Sequence, residues 1–308
     1  MGRTLPTKHD MARSQQTPLP VALESFLRAR WDLKPRTKVT YAKSIRRFMK
    51  AHETIGELTA DNVNDFLASN AQRKTMARND AIALRQFGAW AAKAGIFAMN
   101  PLTAIELPKG HGTRRKPFTD AEVKTIIKTA AESQTGLRDQ AIIVLGLAAA
   151  LRPAELWQLQ LSDVDLRSGW VSVRLATTKT EAGARDVPID PQVVALLDSY
   201  VHDARGEAEG PLFLNMRGDP LTFWGFAQIY ARLRERLREK GVDGFMAYRA
   251  RHTGITNWVR QGVEAPIVQQ LAGHKSIVTT QLYIGRMSKA DIAARVPRAF
   301  TATYGRAV

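Results

Sequence analysis

Near the end of the chain, the stretch LAGHKSIVTTQLY places His274 nine residues before Tyr283. A tyrosine at the edge of a core is a common packing residue. The same phenol becomes a nucleophile where positive charge favours its ionised form, because its pKa is otherwise about 10. Residues elsewhere in the chain must therefore decide between packing and chemistry.

Two arginines stand beside apolar helical segments, where an unpaired charge is costly. Arg152 lies in GLAAALRPAELWQL, between two predicted helices, and Arg251 lies in MAYRARHTGITNWV. Taken alone, Arg152 also fits an ion pair at a helix start. A guanidinium, however, bonds two oxygens of a phosphate at once. Together with Tyr283, the two arginines indicate phosphoryl transfer, which needs positive groups, a nucleophile and a proton donor.

The elements that must position these residues are mostly helical. Residues 17–107 carry apolar side chains at nearly helical spacing in successive segments. In residues 118–308, the sequence TDAE is a helix-start pattern, and VSVRL alternates apolar and polar residues as a half-buried strand does. TEAGA then predicts a hairpin turn, and RDVPI predicts the returning strand. We therefore expect a mainly α protein with a small antiparallel β-sheet, an α+β fold.

Composition limits the partners and the chemistry. Lys and Arg total 45 against 29 Asp and Glu, a net charge of +16, which favours nucleic acid first and an anionic membrane second. The absence of cysteine excludes disulfides, thiol nucleophiles and cysteine metal sites. The longest apolar run, residues 141–151, is about half of the roughly 20 residues that a membrane span needs. We expect a cytoplasmic, nucleoid-associated protein with no membrane partner, no cofactor and no metal site.

A short basic segment predicts the boundary between two domains. PKGHGTRRKP at 108–117 has four basic and no acidic residues, and its Gly and Pro residues are typical of a linker. The predicted order is a basic N-terminal tail at 1–16, a helical core DNA-binding domain at 17–107, the linker at 108–117, a catalytic domain at 118–287 and a C-terminal helix or tail at 288–308.

Three motifs in this order resemble those of the tyrosine recombinases, the phage integrase family. ALRPAELWQLQLSDVD is similar to the family's Arg-x-x-Glu-Leu motif, YRARHT to its His-x-x-Arg-His motif, and LAGHKSIVTTQLY to its Leu-x-Gly-His segment with the nucleophilic tyrosine. The resemblance covers about residues 20–290. It implies an N-terminal SAM-like helical core-binding domain and a catalytic domain like that of type IB topoisomerases. The compact architecture is similar to the Xer-like or mobile-element type.

The resemblance implies a role for each matching residue at the phosphate. Arg152 and Arg251 would bind the scissile phosphate, and Glu155 would support Arg152. His274 would hydrogen-bond a phosphate oxygen, and Tyr283 would form a 3′-phosphotyrosyl bond.

The proton donor is expected on the hairpin. Lys179 would protonate the 5′-hydroxyl leaving group, although a lysine there also fits an exposed turn. The family's histidine three residues before the second arginine is Tyr248 here, and a phenol is a poor proton acceptor near pH 7. We expect a functional site with altered proton handling. His252 is expected to pack in support of the site rather than to replace the missing histidine.

The implied partner is double-stranded DNA with inverted-repeat half-sites, held between two domains in a clamp. Self-association to a dimer or tetramer on DNA is expected, with residues 288–308 docking on a neighbouring protomer. An accessory DNA-binding protein or a partner recombinase is a further candidate. The basic residues expected to contact DNA are Lys43, Arg46, Lys74, Arg78, Arg85, Arg114, Arg115 and Lys116.

The sequence thus predicts a site-specific recombinase that cleaves and rejoins DNA without metal or ATP. Two alternatives share its motifs. One is a topoisomerase of type IB, which would relax supercoiled DNA without a target site. The other is a DNA-binding relative with impaired catalysis, of which Tyr248 would be a first sign.

Overall fold

The computed structural model describes residues 8–108, 116–177 and 183–285. The chain divides into two compact units, Met1–Arg114 and Arg115–Val308. Several sequence predictions lie outside the described residues: Lys179, Arg114, Arg115, most of the linker and the segment 288–308. The predicted domain boundaries themselves stay predictions.

Three described helices of the first unit begin where the sequence supplies a proline or a cap. Pro35 occupies the first turn of α3, and the Thr59 hydroxyl accepts a hydrogen bond from the Asn62 backbone N–H at 3.2 Å to start α4. The unit's α-helices within the described residues are α1 Lys8–Gln15, α2 Leu19–Ala29, α3 Pro35–Phe48, α4 Ala60–Ser69 and α5 Lys74–Lys93.

Aromatic side chains fill the core of this first unit. Phe26 and Phe87 are fully buried, with their ring centroids 5.3 Å apart and their planes steeply inclined. Trp90 packs against both rings from α5. Edge-to-face contacts of this kind stabilise a pair beyond the apolar area that it buries, and they hold α2 against α5.

The second unit is also mainly helical. The sequence TDAE starts its first helix as predicted, because Thr119 and Glu122 each accept a hydrogen bond from the other's backbone N–H. The α-helices of this unit within the described residues are α6 Asp120–Ala131, α7 Gly136–Ala148, α8 Pro153–Leu156, α9 Pro191–Tyr200, α10 Phe223–Glu239, α11 Ala247–Arg260, α12 Ala265–Ala272 and α13 Ile277–Ile284.

The second unit also contains a three-stranded antiparallel sheet. Its strands are β1 Val164–Asp165, β2 Trp170–Val173 and β3 Arg185–Pro188, in the order β1-β2-β3. In β2, Val171 and Val173 face inward, as the alternating pattern predicts. Arg185 stands opposite Val173 and shares the buried phase of β3 with Val187. The mainly α fold with a small antiparallel sheet is therefore confirmed.

Close packing of α11 against α7 sets the geometry around the turn that follows α7. Gly254 of α11 lies so near the Leu147 carbonyl that a Cβ there would overlap it. Directly after α7, Ala150 adopts a left-handed conformation with φ of 46°. This conformation costs an L-residue roughly 1–2 kcal/mol, and it turns the chain toward Arg152. None of the helices in the described ranges combines the length and apolar character needed to cross a membrane.

Candidate active site

Arg152 occupies the N-cap position of the short helix α8. Its Nη1 donates to Oε1 of Glu155 at 2.6 Å, and its backbone N–H donates to Oε2 of the same carboxylate at 2.8 Å. Its Nη2 donates to the Gly273 carbonyl at 2.5 Å. The side chain is 32% exposed, so the guanidinium is held firmly and still faces outward.

Glu155 is the buried partner of two arginines. Arg185 donates from Nη2 to its Oε2 at 2.9 Å, and Arg152 donates to its Oε1. Burial alone would raise the pKa of the Glu155 carboxyl, but the hydrogen bonds and charge of Arg185, then of Arg152, outweigh burial and lower it. The carboxylate is therefore ionised at neutral pH.

Arg251 points into the interior from the second turn of α11. Its Nη1 donates to the Ala150 carbonyl at 2.6 Å, and its Nη2 donates to the Ala272 carbonyl at 2.5 Å. Burial first, and the charge of Arg152 second, lower the pKa of Arg251 to about 10. It stays protonated at neutral pH, and no carboxylate in the described ranges lies within ion-pair distance of it.

Three guanidinium groups meet the end of α12. Its last carbonyls accept hydrogen bonds in succession: Leu271 from Arg185, Ala272 from Arg251 and Gly273 from Arg152. Such carbonyls carry the negative end of the helix dipole, which favours cations. Gly273 has a φ of 61°, and a Cβ at this position would lie 2.9 Å from Nη1 of Arg185. The missing side chain of Gly273 therefore allows both the left-handed backbone at the end of α12 and the close approach of the Arg185 guanidinium.

His274 follows this glycine and is held by α13. Its Nδ1 lies 2.9 Å from the hydroxyl oxygen of the buried Thr280. Burial, and then the charges of Arg251, Arg152 and Arg185, lower the pKa of His274 to about 4. The imidazole is therefore neutral at physiological pH.

Tyr283 lies between two histidines at the end of α13. Its ring centroid is 5.9 Å from that of His274 and 5.0 Å from that of His252. It also packs against the small apolar cluster that includes Ile255 and Val268. The charge of an ionised Tyr283 would favour protonated Arg251, a smaller effect on the Arg251 pKa than burial and the Arg152 charge.

The structure thus brings together five of the residues predicted for the site: Arg152, Glu155, Arg251, His274 and Tyr283, with His252 against the tyrosine ring. Tyr248 lies on the first turn of α11, one turn before Arg251, and is 66% exposed. Lys179 belongs to a part of the hairpin that the structure does not describe. The catalytic roles of all these residues stay predictions.

The predicted DNA-contacting residues differ in exposure. Lys43, Arg46, Lys74 and Lys116 are exposed, whereas Arg78 and Arg85 are half-buried. Arg78 donates to the Pro108 carbonyl at 3.0 Å. Arg47 of α3, next to Arg46 in the sequence, forms an ion pair with the buried Asp80.

Sequence reasoning missed two residues of the site. Arg185 lies in RDVPI, two residues before Val187, so it shares the inward-facing side of that strand with Val187. An arginine on the inward-facing side of a strand indicates a buried charge that needs a partner. Thr280 carried no such signal, because a threonine within a short helix more often faces solvent.

The arrangement has more positive than negative charge. Arg152, Arg185 and Arg251 converge, and among the described residues only Glu155 forms ion pairs with them. A site of this kind binds a phosphate and stabilises charge that develops on it. In the described ranges, no three His, Asp or Glu residues form a group that could hold a metal ion.

The sequence is similar to known recombinases. The model of the phage integrase family matches residues 116–289, more than half of the chain. The chain is 27% identical to the tyrosine recombinase XerD of Pseudomonas aeruginosa over 292 residues, covering 89% of this chain and 96% of the relative. It is 31% identical to the tyrosine recombinase XerC of Pelobacter propionicus over 277 residues, covering 85% and 88%.

Solved structures share the fold. The Tn1549 transposon integrase in complex with transposon right-end DNA superposes with a TM-score of 0.75 at 18% identity, covering 90% of this chain and 98% of that one. A lambda integrase dimer bound to a COC′ core site superposes with a TM-score of 0.74 at 18% identity, covering 92% and 83%. The family match and the relatives favour a recombinase over a topoisomerase. This chain belongs to the phage integrase family and is a tyrosine-type site-specific recombinase.

Proposed function

We propose that this recombinase cleaves DNA by attack of the Tyr283 phenol on a phosphodiester and rejoins it after strand exchange. The observation that carries the proposal is the excess of positive charge beside Tyr283. Arg152, Arg185 and Arg251 converge there, and within the described residues Glu155 is the one carboxylate that pairs with any of them, namely with Arg152 and Arg185. A scissile phosphate supplies the anion that balances them.

The proposed reaction conserves the energy of the phosphodiester. A bond forms between the Tyr283 oxygen and phosphorus while the bond from phosphorus to the 5′ oxygen breaks. The phenol loses its proton, and the 5′ oxygen gains one and leaves as a hydroxyl. The resulting 3′-phosphotyrosyl ester is attacked by another 5′-hydroxyl, which rejoins the strand without ATP.

Arg152 and Arg251 have the central electrostatic role in this proposal. Negative charge grows on the non-bridging oxygens in the transition state, and prepositioned cations stabilise it there more than in the bound substrate. Their guanidinium groups supply the positive charge that metal ions supply in other phosphoryl-transfer sites. Their hydrogen bonds to the Ala150, Ala272 and Gly273 carbonyls fix them in advance.

The remaining site residues move or position protons. Lys179 is the proposed acid that protonates the 5′ oxygen. His274 is neutral at pH 7, so it gives a phosphate oxygen a hydrogen bond rather than a charge. Tyr248 stands where the family has a histidine, and we assign its exposed phenol the role of a hydrogen-bond donor to the phosphate. His252 supports the ring of Tyr283.

The proposed partner is double-stranded DNA with inverted half-sites. Exposed Lys43, Arg46 and Lys74 of the first unit and Lys116 of the second supply phosphate contacts. The lambda integrase neighbour is a dimer on a core site, and the Tn1549 neighbour is bound to transposon-end DNA. By analogy, we propose that this chain binds one half-site per protomer and assembles to a tetramer on DNA in the cytoplasm, with an accessory protein or partner recombinase as a further component.

The test captures the covalent intermediate. Duplexes with a randomised half-site and a nick just beyond the cleavage position are incubated with the protein, so that the short 5′-hydroxyl fragment diffuses away. Complexes that resist denaturation are isolated, and the enriched DNA becomes the defined substrate. We expect a protein-linked strand that carries its label at the 5′ end, unchanged by EDTA and absent in Tyr283→Phe.

Tyr230→Phe is the matched control, since it removes the hydroxyl of a tyrosine buried in the core of the same unit. It should form the covalent complex at the wild-type rate. Formation of the complex by Tyr283→Phe, or capture of the strand labelled at its 3′ end, would overturn the proposal.

A further inference from the structure

Arg185, one of the three arginines at the end of α12, is buried in the protein. Its side chain is 2% exposed, against 32% for Arg152. It begins β3, opposite Val173, and points inward with Val187. A buried arginine of this kind is costly unless every part of its guanidinium is paired.

The contacts of Arg185 satisfy that requirement from three directions. Its Nε donates to the Leu271 carbonyl at 2.6 Å, and its Nη1 donates to the Gly183 carbonyl at 2.7 Å. Its Nη2 donates to Oε2 of Glu155 at 2.9 Å, and Nη1 lies 3.3 Å from Oε1. With so little exposure, Arg185 cannot itself reach a DNA phosphate, so any effect on the reaction must pass through its neighbours.

Glu155 is the first such neighbour. Its two oxygens are divided between Arg185 and Arg152, and Oε2 also accepts from the backbone N–H of Arg152. Without Arg185, one side of a buried carboxylate would lose its partner. The nearest available cation is Arg152, which would then be drawn toward Glu155 and away from the Gly273 carbonyl and the outward face.

The end of α12 is the second neighbour. Leu271, Ala272 and Gly273 give their carbonyls to Arg185, Arg251 and Arg152 in turn. Arg185 therefore ties the hairpin strand β3 to the same helix end that fixes the two phosphate-binding arginines. Displacement of the Leu271 carbonyl would shift the next two carbonyls with it, because they belong to one rigid turn.

We propose that Arg185 is a positioning residue for DNA cleavage, which holds Glu155 and the end of α12 so that Arg152 meets the scissile phosphate in its productive geometry. This inference rests on the proposed function, because it assigns Arg152 to that phosphate. Arg185 acts on charge stabilisation in the transition state without touching DNA.

The experiment compares two DNA substrates that differ in charge at one position. The nicked half-site is prepared with a normal scissile phosphodiester and with a methylphosphonate, which lacks one negative oxygen. Arg185→Lys keeps the charge and loses the planar fork. We expect unchanged half-site affinity and about a 100-fold slower cleavage of the phosphodiester, the equivalent of one strong charge-assisted interaction.

On the methylphosphonate, the cleavage rate of Arg185→Lys should be no more than about tenfold below that of wild type, because less negative charge needs stabilising there. Arg152→Lys should follow the same pattern. Arg138→Lys is the matched control: Arg138 is also buried, pairs with Asp139 and donates to the Leu214 carbonyl. Any loss that it causes should be equal on the two substrates.

A second variant covers the case in which Arg185→Lys does not fold. Arg185→Gln combined with Glu155→Gln removes both members of the buried Arg185–Glu155 ion pair, so neither is left buried without the other, while Arg152 loses its carboxylate partner and keeps the Gly273 carbonyl. It should fold and bind the half-site but cleave the phosphodiester slowly. Cleavage at the wild-type rate by either variant, or equal losses on the two substrates, would overturn the positioning role. Absence of a covalent complex with wild-type protein would instead overturn the proposed function and this inference with it.

Discussion

His274 and Thr280 form a hydrogen-bonded pair, with Nδ1 of the imidazole 2.9 Å from Oγ1 of the threonine. The Thr280 side chain is fully buried, one turn before Tyr283 on the same helix. An imidazole has two ring nitrogens. Because Thr280 engages Nδ1, the other nitrogen, Nε2, is the one left to bind a substrate. Helix α13 thereby orients the histidine as well as carrying Tyr283, the proposed nucleophile.

Thr280→Val should therefore slow covalent-complex formation about tenfold, the effect of one lost hydrogen bond in a buried site. Valine has nearly the shape of threonine, so packing is retained. Thr280→Ser keeps the hydroxyl and should cleave within about twofold of wild type. Single-turnover cleavage of the nicked half-site gives the rate of each variant. Equal rates for Thr280→Val and Thr280→Ser would contradict the orienting role of the hydroxyl.

The free energy of unfolding should decrease as the pH falls, in part because of His274. Its pKa of about 4 in the folded chain lies below the ordinary value of 6.5, so the unfolded chain binds the proton first as pH falls. The contribution is fully present above about pH 6.5 and is lost progressively toward pH 4. Denaturant unfolding at pH 7 and pH 5 should show a smaller loss in His274→Gln than in wild type.

His202→Gln is the matched control for this measurement, since the His202 side chain is 78% exposed. It should lose as much stability between the two pH values as wild type. If His274→Gln also does so, the imidazole of His274 is not held neutral by burial and the arginines.

Gly273→Ala should reduce cleavage more than stability. A left-handed alanine costs roughly 1–2 kcal/mol, and its Cβ would lie 2.9 Å from Nη1 of Arg185 and 3.2 Å from Nη1 of Arg152. Gly262→Ala has the same kind of backbone strain, with φ of 92°, but its Cβ would meet nothing within 4 Å. We expect similar thermal shifts for the two variants and a loss of cleavage of about tenfold or more only for Gly273→Ala.

Tyr230→Phe should be neutral or stabilising. The Tyr230 hydroxyl is buried with no hydrogen-bond partner among the described residues, and burial raises its pKa. Removing an unpaired buried hydroxyl recovers up to about 1 kcal/mol. Tyr200→Phe is the contrast, because the Tyr200 hydroxyl accepts from the Leu214 backbone N–H at 3.3 Å. Urea unfolding should rank Tyr230→Phe above Tyr200→Phe, and the reverse order would contradict the assignment.

Tyr248→His should leave cleavage unchanged or raise it. The side chain is 66% exposed, so the exchange costs little packing, and an imidazole accepts a proton near pH 7 better than a phenol does. The pH profile of the variant should gain a limb near pH 6.5. Tyr248→Phe, which removes the donor, should cleave more slowly. A collapse of covalent-complex yield in Tyr248→His would count against this account of proton handling.

The sequence by itself determined the main elements and predicted the candidate residues of the site. Thr119 with Glu122 starts a helix, the alternation in VSVRL forms a strand, and Arg152, Arg251, His274 and Tyr283 stand in recognisable motifs. These signals are local, because caps, strand periodicity and motif spacing depend on residues a few positions apart.

Only the tertiary structure decided how these motifs meet. Residues 152, 185 and 251 are far apart in the chain, yet all three reach successive carbonyls of α12. Neither the burial of Arg185 nor the pairing of His274 with Thr280 follows from spacing alone. Both arise because a buried charge or imidazole must find its partner wherever the packing of α11, α12 and the sheet brings one within reach.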